Sequence, residues 1–292
     1  MFRRILTTLG IGAGVLALVA VPARADDGLP VQVLLPGNRI VTVTTAQPNR
    51  ATSDVRVSGL APNETLVGID RRPLDGLVYG VATSSFGTNV YTINASGQAA
   101  LAFTLTQASL DPSAPGTGGP VALSGRRFGV DFNPAADALR IVSDTGQNLR
   151  ALPSARNVVF NGTPFLRPAG STFTDGNLSS TGVSAVAYTN NDNDPATATT
   201  LVDIDTDDDV LVDQNPPNNG TLVNPRPLGR TTSNLAAFDI VTTGGTNTAY
   251  AILGNQQGRS RVSRLVTIDL ADGSVTVLGT LGRFEKAIGM AF

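Results

Sequence analysis

The chain has 292 residues, with 21 basic and 23 acidic side chains and neither cysteine nor histidine. These absences exclude a thiol nucleophile, a disulfide, an imidazole base and a zinc site built from cysteine or histidine. The charge balance also lacks the basic surface that nucleic-acid binding requires. Unbranched helix formers such as Glu, Lys, Gln and Met are scarce, whereas Thr, Val, Gly, Asn and Asp are abundant. The composition therefore predicts an all-β protein.

The first 25 residues have the features of an export signal. Arg3 and Arg4 precede an apolar stretch from Ile5 to Val21, which ends at the small-residue site Ala23-Arg24-Ala25. Cleavage after Ala25 would leave residues 26–292, with 18 basic and 23 acidic residues. This part of the sequence has no apolar run long enough for a transmembrane helix. We therefore expect a periplasmic or secreted protein without a transmembrane anchor in its mature chain.

A short apolar segment with a small residue at its centre recurs along the chain. The copies are Val67-Gly68-Ile69-Asp70, Phe128-Gly129-Val130-Asp131, Val186-Ala187-Tyr188-Thr189, Ala236-Ala237-Phe238-Asp239 and Ile288-Gly289-Met290-Ala291. Their small residues are 61, 58, 50 and 52 positions apart, and three further strand-like segments follow most copies. A four-stranded unit repeated at this interval is typical of a β-propeller blade, whose innermost strand is crowded by its neighbours. Five copies predict five blades.

The two ends of the mature chain complement each other. Val31 to Leu35, Arg39 to Thr45 and Asp54 to Ser58 supply three strands without an inner one, and Lys286 to Phe292 supplies a single inner strand. We therefore expect residues 26–292 to form one propeller domain, in which the C-terminal strand closes the first blade and leaves no open sheet edge. The alternative is an open β-sandwich or two stacked β-domains, for which so long a period is not expected.

Long connections are expected on one face of this propeller. Loops between blades emerge on the same face as loops between the second and third strands of a blade. Thr106 to Arg126 and Asn161 to Gly182 are interpreted as connections between blades, and the hairpin loops Ser143 to Gln147 and Thr206 to Asp209 should lie beside them. Because loops on rigid scaffolds carry function, this face is the candidate binding surface. The alternative is that the insertions are only tolerated surface length.

Several motifs carry a resemblance to a known family. The main motifs are Val130 to Pro134 and Leu139 to Arg150. Further motifs lie before them, at Glu64 to Asp70 and Val78 to Gly80, and after them, at Ala187 to Asn191 and Gln214 to Leu222. Together they resemble a bacterial family called "domain of unknown function 4394", over about Val31 to Phe292. The resemblance implies an exported, propeller-like domain in bacteria. It implies no established activity, substrate or catalytic residue.

The densest polar grouping within these motifs consists of Asp131, Arg140, Asp144, Asn148 and Arg150. If they converge, such side chains can bind a sugar or a carboxylate through bidentate hydrogen bonds. The alternative is structural: Asp144-Thr145-Gly146 suits a hairpin turn, and Arg140 with Asp131 suits an ion pair between adjacent strands.

Acidic residues suggest two cation sites. Asp70, Asp131 and Asp239 end inner strands, so they are expected to form a ring of carboxylates near the channel mouth. Such a ring would attract a cation or supply a paired acid and base. The alternative is that each Asp closes its strand by accepting hydrogen bonds from the backbone of the next turn.

A second acidic group, Asp203, Asp205, Asp207 and Asp209, predicts a weak calcium site. Alternate strand residues share a face, and the following turn can fold the last two carboxylates towards the first two. The segment does not fit an EF-hand, because Asp208 replaces the required Gly and Gln214 the bidentate Glu. The alternative is a solvated acidic hairpin.

Two classes of function remain. With no histidine, and with Lys286 as a lone lysine near the terminus, no base for a serine hydrolase is identified and no catalytic residue is predicted. The first class is an exported, noncatalytic, monomeric propeller that binds a polymer, a surface glycan or another protein. The second is a metal-assisted hydrolase or lactonase with its site at the mouth of the central channel.

Overall fold

The computed structural model describes residues 28–111, 113, 118–192, 194, 196–257, 260–284 and 286–292. The predicted export signal and its cleavage site lie outside the described residues. Within them, the chain is built from β-strands with one short 3-10 turn at Pro217–Asn219. No helix in this described part is long and apolar enough to cross a membrane.

Five sheets are arranged as the blades of a propeller, as the repeat predicts. The first blade consists of β1 (Pro30–Leu35), β2 (Arg39–Thr44), β3 (Ser53–Arg56) and β23 (Gly289–Ala291). The second consists of β4 (Thr65–Arg71), β5 (Val78–Ser84), β6 (Gly87–Ile93) and β7 (Ala99–Thr104). The fourth consists of β15 (Val183–Tyr188), β16 (Leu201–Asp205), β17 (Val210–Gln214) and β18 (Leu222–Pro227). The fifth consists of β19 (Ala236–Thr243), β20 (Thr246–Gln257), β21 (Ser260–Ile268) and β22 (Val275–Thr280).

The third blade carries two additions. Its four main strands are β9 (Phe128–Asn133), β10 (Ala138–Ser143), β11 (Asn148–Ala151) and β14 (Ser171–Thr174). The short strand β8 (Thr106–Gln107) pairs in parallel with β14 and widens the sheet. Between β11 and β14, the hairpin of β12 (Arg156–Phe160) and β13 (Thr163–Arg167) forms a separate two-stranded sheet.

This hairpin corrects one expectation from the sequence. Residues 161–174 do not belong to the connection between the third and fourth blades, because they contain β13 and the outer strand β14. The inserted hairpin follows the third strand of its blade, so it emerges on the face opposite the predicted binding surface. Consistently, the Arg156 guanidinium donates to the backbone oxygens of Ala136 and Asp137 in the loop between β9 and β10.

The predicted closure by the C-terminal strand is confirmed. β23 pairs antiparallel with β1, with Gln32 opposite Ala291 and Leu34 opposite Gly289. Met290 and Ala291 are buried in this pairing. The first blade is therefore assembled from both ends of the domain, which removes the open edge that β1 would otherwise present.

Apolar contacts hold the blades together. Each of the five large apolar clusters lies between two neighbouring blades, and strand side chains supply both sides of every cluster. Between the first and second blades, for example, Leu34 and Ile40 pack with Leu66, Ile69 and Tyr91. Each blade has a neighbouring blade on both of its faces. Side chains that point alternately to the two faces of a strand can therefore pack into the clusters on either side.

Small residues set the width of the channel. Gly68, Gly129, Ala185, Ala237 and Gly289 line it at one level. A Cβ atom on Gly129 would lie 2.8 Å from the Val186 nitrogen of the next blade, too close for any larger residue. The repeat in the fourth blade is therefore centred on Ala185, and the predicted centre at Ala187 is wrong by two residues. Ala185 and Ala187 are both small and lie two residues apart on the same strand, so the sequence pattern does not distinguish them.

Candidate functional site

A pocket of about 160 Å³ opens where the inner strands begin. All five blades contribute to its wall: Ile288 from the first, Leu66 and Val67 from the second, Phe128 from the third, Ser184 from the fourth, and Leu235 and Ala236 from the fifth. We call it the mouth pocket. Its wall is mostly apolar because the inner strands present the same side chains here that fill the clusters between blades.

Two arginines stand at the rim of the mouth pocket. Arg127 Nε lies 3.0 Å from Asp144 Oδ2, and Arg127 Nη1 lies 2.8 Å from Thr206 Oγ1 and 3.1 Å from Asp207 Oδ1. The neighbouring Arg126 is exposed, and its guanidinium has no ion-pair partner among the described residues. Arg127 is thus neutralised and fixed, whereas Arg126 is a cation available to a ligand.

The predicted grouping of loops on one face is confirmed around these arginines. The Ser124 backbone N–H donates to Gln147 Oε1 at 2.9 Å, which joins the connection before β9 to the hairpin loop after β10. The Thr206 backbone N–H donates to the Gly182 oxygen at 3.0 Å, which joins the loop after β16 to the connection before β15. Arg127 spans both groups of loops, so the rim of the pocket is held from two sides.

Ser184 supplies a polar atom within the apolar wall. Its side chain is buried, and its hydroxyl oxygen has no hydrogen-bond partner among the described residues. A buried hydroxyl without a partner is rare, because the desolvation of the group is then not compensated. The Ser184 hydroxyl therefore lies buried behind the surface of the pocket wall, without a partner among the described residues.

Below the mouth pocket the channel narrows sharply. The ring of Gly68, Gly129, Ala185, Ala237 and Gly289 encloses about 10 Å³, roughly the space of one water molecule. One step further along the inner strands lie Asp70, Asp131 and Asp239, which are buried and whose carboxylate oxygens come within 4.8 Å of one another. The sequence predicts these carboxylates near the channel mouth, and the structure places them beyond this narrow ring.

Each of these carboxylates binds the backbone of the next blade. Asp70 Oδ2 accepts the Phe132 N–H at 2.7 Å, Asp131 Oδ2 the Tyr188 N–H at 2.9 Å, and Asp239 Oδ2 the Phe292 N–H at 3.1 Å. These N–H groups lie on the inner edge of a blade, where no further strand pairs with them. The three bonds therefore join neighbouring blades, a different role from the bonds to the following turn that the sequence offered as an alternative.

Burial and mutual repulsion hold protons on this group. Burial raises the pKa of Asp70 and Asp131 well above the ordinary range, and the neighbouring carboxylates raise both further. Burial also raises the pKa of Asp239, to about 7, although the Phe292 N–H and the charge of Arg71 oppose that rise. The three carboxyl groups therefore do not all carry a negative charge at neutral pH.

The five polar residues of the family motif are divided among three places. Asp131 lies in the channel and Asp144 lies at the rim with Arg127. Arg140, Asn148 and Arg150 form a network between the third and fourth blades.

Arg140 is the centre of that network. It is buried, and its guanidinium lies 2.7 Å from both Asn148 Oδ1 and Asp175 Oδ2 and 2.8 Å from Asn218 Oδ1. Arg150 pairs with the same Asp175 at 3.1 Å. Arg140 thus pairs with Asp175, and the expected ion pair between Arg140 and Asp131 is not formed. The network fixes the Pro217–Asn219 turn of the fourth blade against the third.

Of the acidic residues in β16 and the loop after it, Asp205, Asp207 and Asp209 have separate partners, and Asp203 has none among the described residues. Asp203 is completely buried, both of its oxygens lack a hydrogen-bond partner among the described residues, and burial raises its pKa well above the usual range. Asp205 accepts the N–H groups of Asp207 and Asp208, and Asp207 pairs with Arg127. Asp209 Oδ1 accepts the Thr232 hydroxyl at 2.7 Å. The calcium site at these four residues stays a prediction.

Sequence reasoning missed Arg126, Arg127 and Asp175. The two arginines directly precede the inner-strand repeat at Phe128, and in a propeller that position lies at the channel mouth, so a signal for them was present. Asp175 is followed by Gly176, which signals a turn. Nothing in that dipeptide identifies two arginines as its partners.

The fold and the pocket define a β-propeller with a candidate ligand site at the mouth of its channel. Within that class, the chain belongs to the family described as domain of unknown function (DUF4394), whose model matches residues 39–291. The resemblance drawn from the motifs is therefore confirmed.

Comparisons with individual proteins add little to this assignment. The comparison with curated proteins finds no match. Among solved structures, the chain is similar to "Dihydro-heme d1 dehydrogenase NirN in complex with DHE", with 14% sequence identity and a TM-score of 0.32. The similarity covers 89% of this chain and 56% of that one, so the chain spans little more than half of that protein.

Proposed function

We propose that the protein is an exported, noncatalytic β-propeller that binds a ligand at its mouth pocket. The observation that carries this proposal is the pocket itself, to which all five blades contribute side chains. A site shared by every blade depends on the complete ring, and rigid surroundings reduce the entropy lost on binding.

The lining of the pocket favours one kind of ligand group. Apolar walls favour an apolar group, and Arg126 at the rim, which has no ion-pair partner among the described residues, favours an anion. The ligand would be a small amphiphilic anion, or such a group on a polymer, a glycan or another protein.

The same lining supports binding without catalysis. Among the described residues, the lining of the mouth pocket includes no carboxylate, lysine or tyrosine, and the rim carboxylates of Asp144 and Asp207 are paired with Arg127. Ser184 therefore has no neighbouring base to activate its hydroxyl as a nucleophile. The channel carboxylates lie beyond the narrow ring, which leaves room for about one water.

A pair of simple probes tests the proposal. Calorimetric titration of residues 26–292 with octanoate and octanol compares an anionic and a neutral apolar ligand of equal chain length. We expect octanoate to bind, with at least tenfold weaker binding after Asn234→Trp, which fills the pocket from an exposed lining position. Asn157→Trp on the inserted hairpin is the matched control and should bind as the wild type does. Failure of both probes to bind, or unchanged binding by Asn234→Trp, would contradict the proposal.

Export rests on the leader-like sequence that ends at Ala25. N-terminal sequencing of protein recovered from the periplasm or the medium should begin at Asp26. Recovery of exported protein that retains Met1 would contradict this part of the proposal.

The second candidate is a metal-assisted hydrolase or lactonase. It is favoured by the convergence of Asp70, Asp131 and Asp239 within 4.8 Å, which offers oxygen ligands to a hard cation. Metal analysis of the purified mature chain, compared with Asp239→Asn, tests it. A stoichiometric metal that is lost in the variant would favour this function over the noncatalytic one.

A further inference from the structure

A second cavity, of about 420 Å³, lies on the second blade and shares no lining residue with the mouth pocket. It is enclosed by the segment that leads into β4 and by the hairpin between β5 and β6. The residues on which the argument depends are Asn63, Glu64, Phe86, Asn89 and Thr104, and we call the cavity the blade-two cleft. Its volume lies within the range of about 300 to 1,000 Å³ that is usual for small-molecule sites.

An exposed aromatic ring stands at one side of the blade-two cleft. Phe86 is 79% exposed, the most exposed large apolar side chain among the described residues. Its hairpin is held in place, because the Phe86 N–H donates to Ser84 Oγ and a Cβ on Gly87 would lie 2.7 Å from Pro120. The ring is therefore presented to solvent on a supported backbone.

The opposite side of the cleft is a fixed polar network. Glu64 is only 7% exposed, and its Oε1 accepts the Asn89 side-chain N–H at 2.6 Å. Its Oε2 accepts the Tyr91 hydroxyl at 2.5 Å and the Ala61 N–H at 3.1 Å. The Thr104 hydroxyl donates to Asn89 Oδ1 at 2.6 Å. These bonds determine the positions of the carboxylate and the amide before any ligand arrives.

Hydrogen-bonding capacity remains on this side. Each carboxylate oxygen can accept two hydrogen bonds, and Glu64 Oε1 accepts one from the described residues. The side-chain amide of Asn63 has no partner in the described part of the chain and adds both a donor and an acceptor. A ligand here would meet acceptors and donors together with an aromatic face.

We propose that the blade-two cleft binds a neutral oligosaccharide. The C–H face of one sugar ring stacks on Phe86, and its hydroxyl groups hydrogen-bond with Glu64 and Asn63. A purely apolar ligand would displace water from the remaining acceptor position of Glu64 Oε1 and from the Asn63 amide without replacing its hydrogen bonds, which is unfavourable. An acidic sugar would face the Glu64 charge, and the described residues that line the cleft include no arginine or lysine to offset it.

Affinity gel electrophoresis of residues 26–292 tests this inference independently of the mouth pocket. The gels contain hydroxyethylcellulose, xylan, pullulan or dextran as neutral polysaccharides, and alginate as an acidic one. We expect retardation by at least one neutral polysaccharide and none by alginate. No retardation in any neutral gel, or retardation by alginate alone, would overturn the inference.

Three variants identify the site. Phe86→Ala should weaken the interaction at least tenfold, and Phe86→Trp should retain it because the aromatic face is kept. Leu166→Ala is the control, since Leu166 is 69% exposed on the inserted hairpin of the third blade, and it should migrate as the wild type does. These positions are exposed, so the variants are expected to fold, which equal melting temperatures would verify. Unchanged retardation of Phe86→Ala would overturn the assignment to this cleft.

Discussion

The Asp131 carboxylate in the third blade accepts the backbone N–H of Tyr188 in the fourth at 2.9 Å. That N–H lies at the inner edge of β15, so the carboxylate supplies an acceptor that no neighbouring strand provides. Asp70 and Asp239 do the same for Phe132 and Phe292. Three of the five blade interfaces are therefore joined at the channel by a buried carboxylate, and these carboxylates lie close enough to repel one another.

This arrangement predicts a stability that falls as pH rises. The pKa of Asp239 is about 7 in the folded chain, against an ordinary value of 3.8, so between these values the folded state binds a proton that the unfolded state has lost. The stabilising contribution is complete below pH 3.8 and is lost by about pH 7. Each pKa unit corresponds to about 1.4 kcal/mol in the free energy of unfolding.

Asp239→Asn should remove the share of this dependence that Asp239 contributes, because the amide stays neutral and still offers an oxygen to Phe292, while Asp70 and Asp131 keep their raised pKa values. Urea unfolding from pH 4 to pH 7.5 would show the wild type losing stability relative to the variant as pH rises. Asp272→Asn is the control: the Ser274 N–H lowers the pKa of this exposed carboxyl, so its removal should leave the fall with pH in place. Parallel curves for the wild type and Asp239→Asn would contradict the prediction.

The propeller could be predicted from the sequence, and most of the candidate site could not. Small residues such as Gly68 and Gly129 recur because inner strands approach one another closely, and this recurrence can be read directly from the sequence. The centre of the fourth copy was placed at Ala187 and not at Ala185 because both residues are small and lie two positions apart on the same strand. Arg140 pairs directly with Asp175, which lies in a loop 35 residues further along the chain, and no local sequence pattern specifies such a partner.

The network around Arg140 predicts a large loss of stability on mutation. Arg140→Met would leave Asn148 and Asn218 without their guanidinium donor and Asp175 with Arg150 as its remaining arginine. Because Asp175 keeps Arg150, the loss comes chiefly from buried polar groups left without a donor, at about 1 to 3 kcal/mol for each such group. The free energy of unfolding from denaturant titration is the measurement.

The matched control for this prediction is Arg39→Met. Arg39 pairs with Asp54 at the surface of the first blade, where solvent screens the charges. We expect little change in stability from it. Equal losses for the two variants would show that burial of the Arg140 network has no energetic consequence.

The acidic residues of β16 and of the loop that follows it give a prediction about stability in calcium. If Asp203, Asp205, Asp207 and Asp209 hold a cation in the native state, calcium must raise the melting temperature relative to chelator, because a ligand that binds only the folded chain stabilises it. A variant carrying Asp205→Asn and Asp207→Asn should lose that increase. Identical wild-type melting curves in calcium and in chelator would leave the group as an acidic hairpin.

Closure of the ring gives the last prediction, tested by deleting residues 287–292. The deletion removes β23, the buried side chains of Ala287 and Met290, and the Phe292 N–H that Asp239 accepts. It also uncovers Val33 and Leu34 of β1, which are fully buried in the intact blade. Burial of one large apolar side chain stabilises by about 1.5 to 3 kcal/mol, so the loss should approach the stability of a typical domain.

We expect a melting temperature lower by at least 10 °C, at about 2 to 4 °C per kcal/mol for a domain of this size. Lys286→Ala, next to the deletion but outside the strand, should melt with the wild type. A truncated chain that melts with the wild type would mean that β23 does not hold the first blade closed.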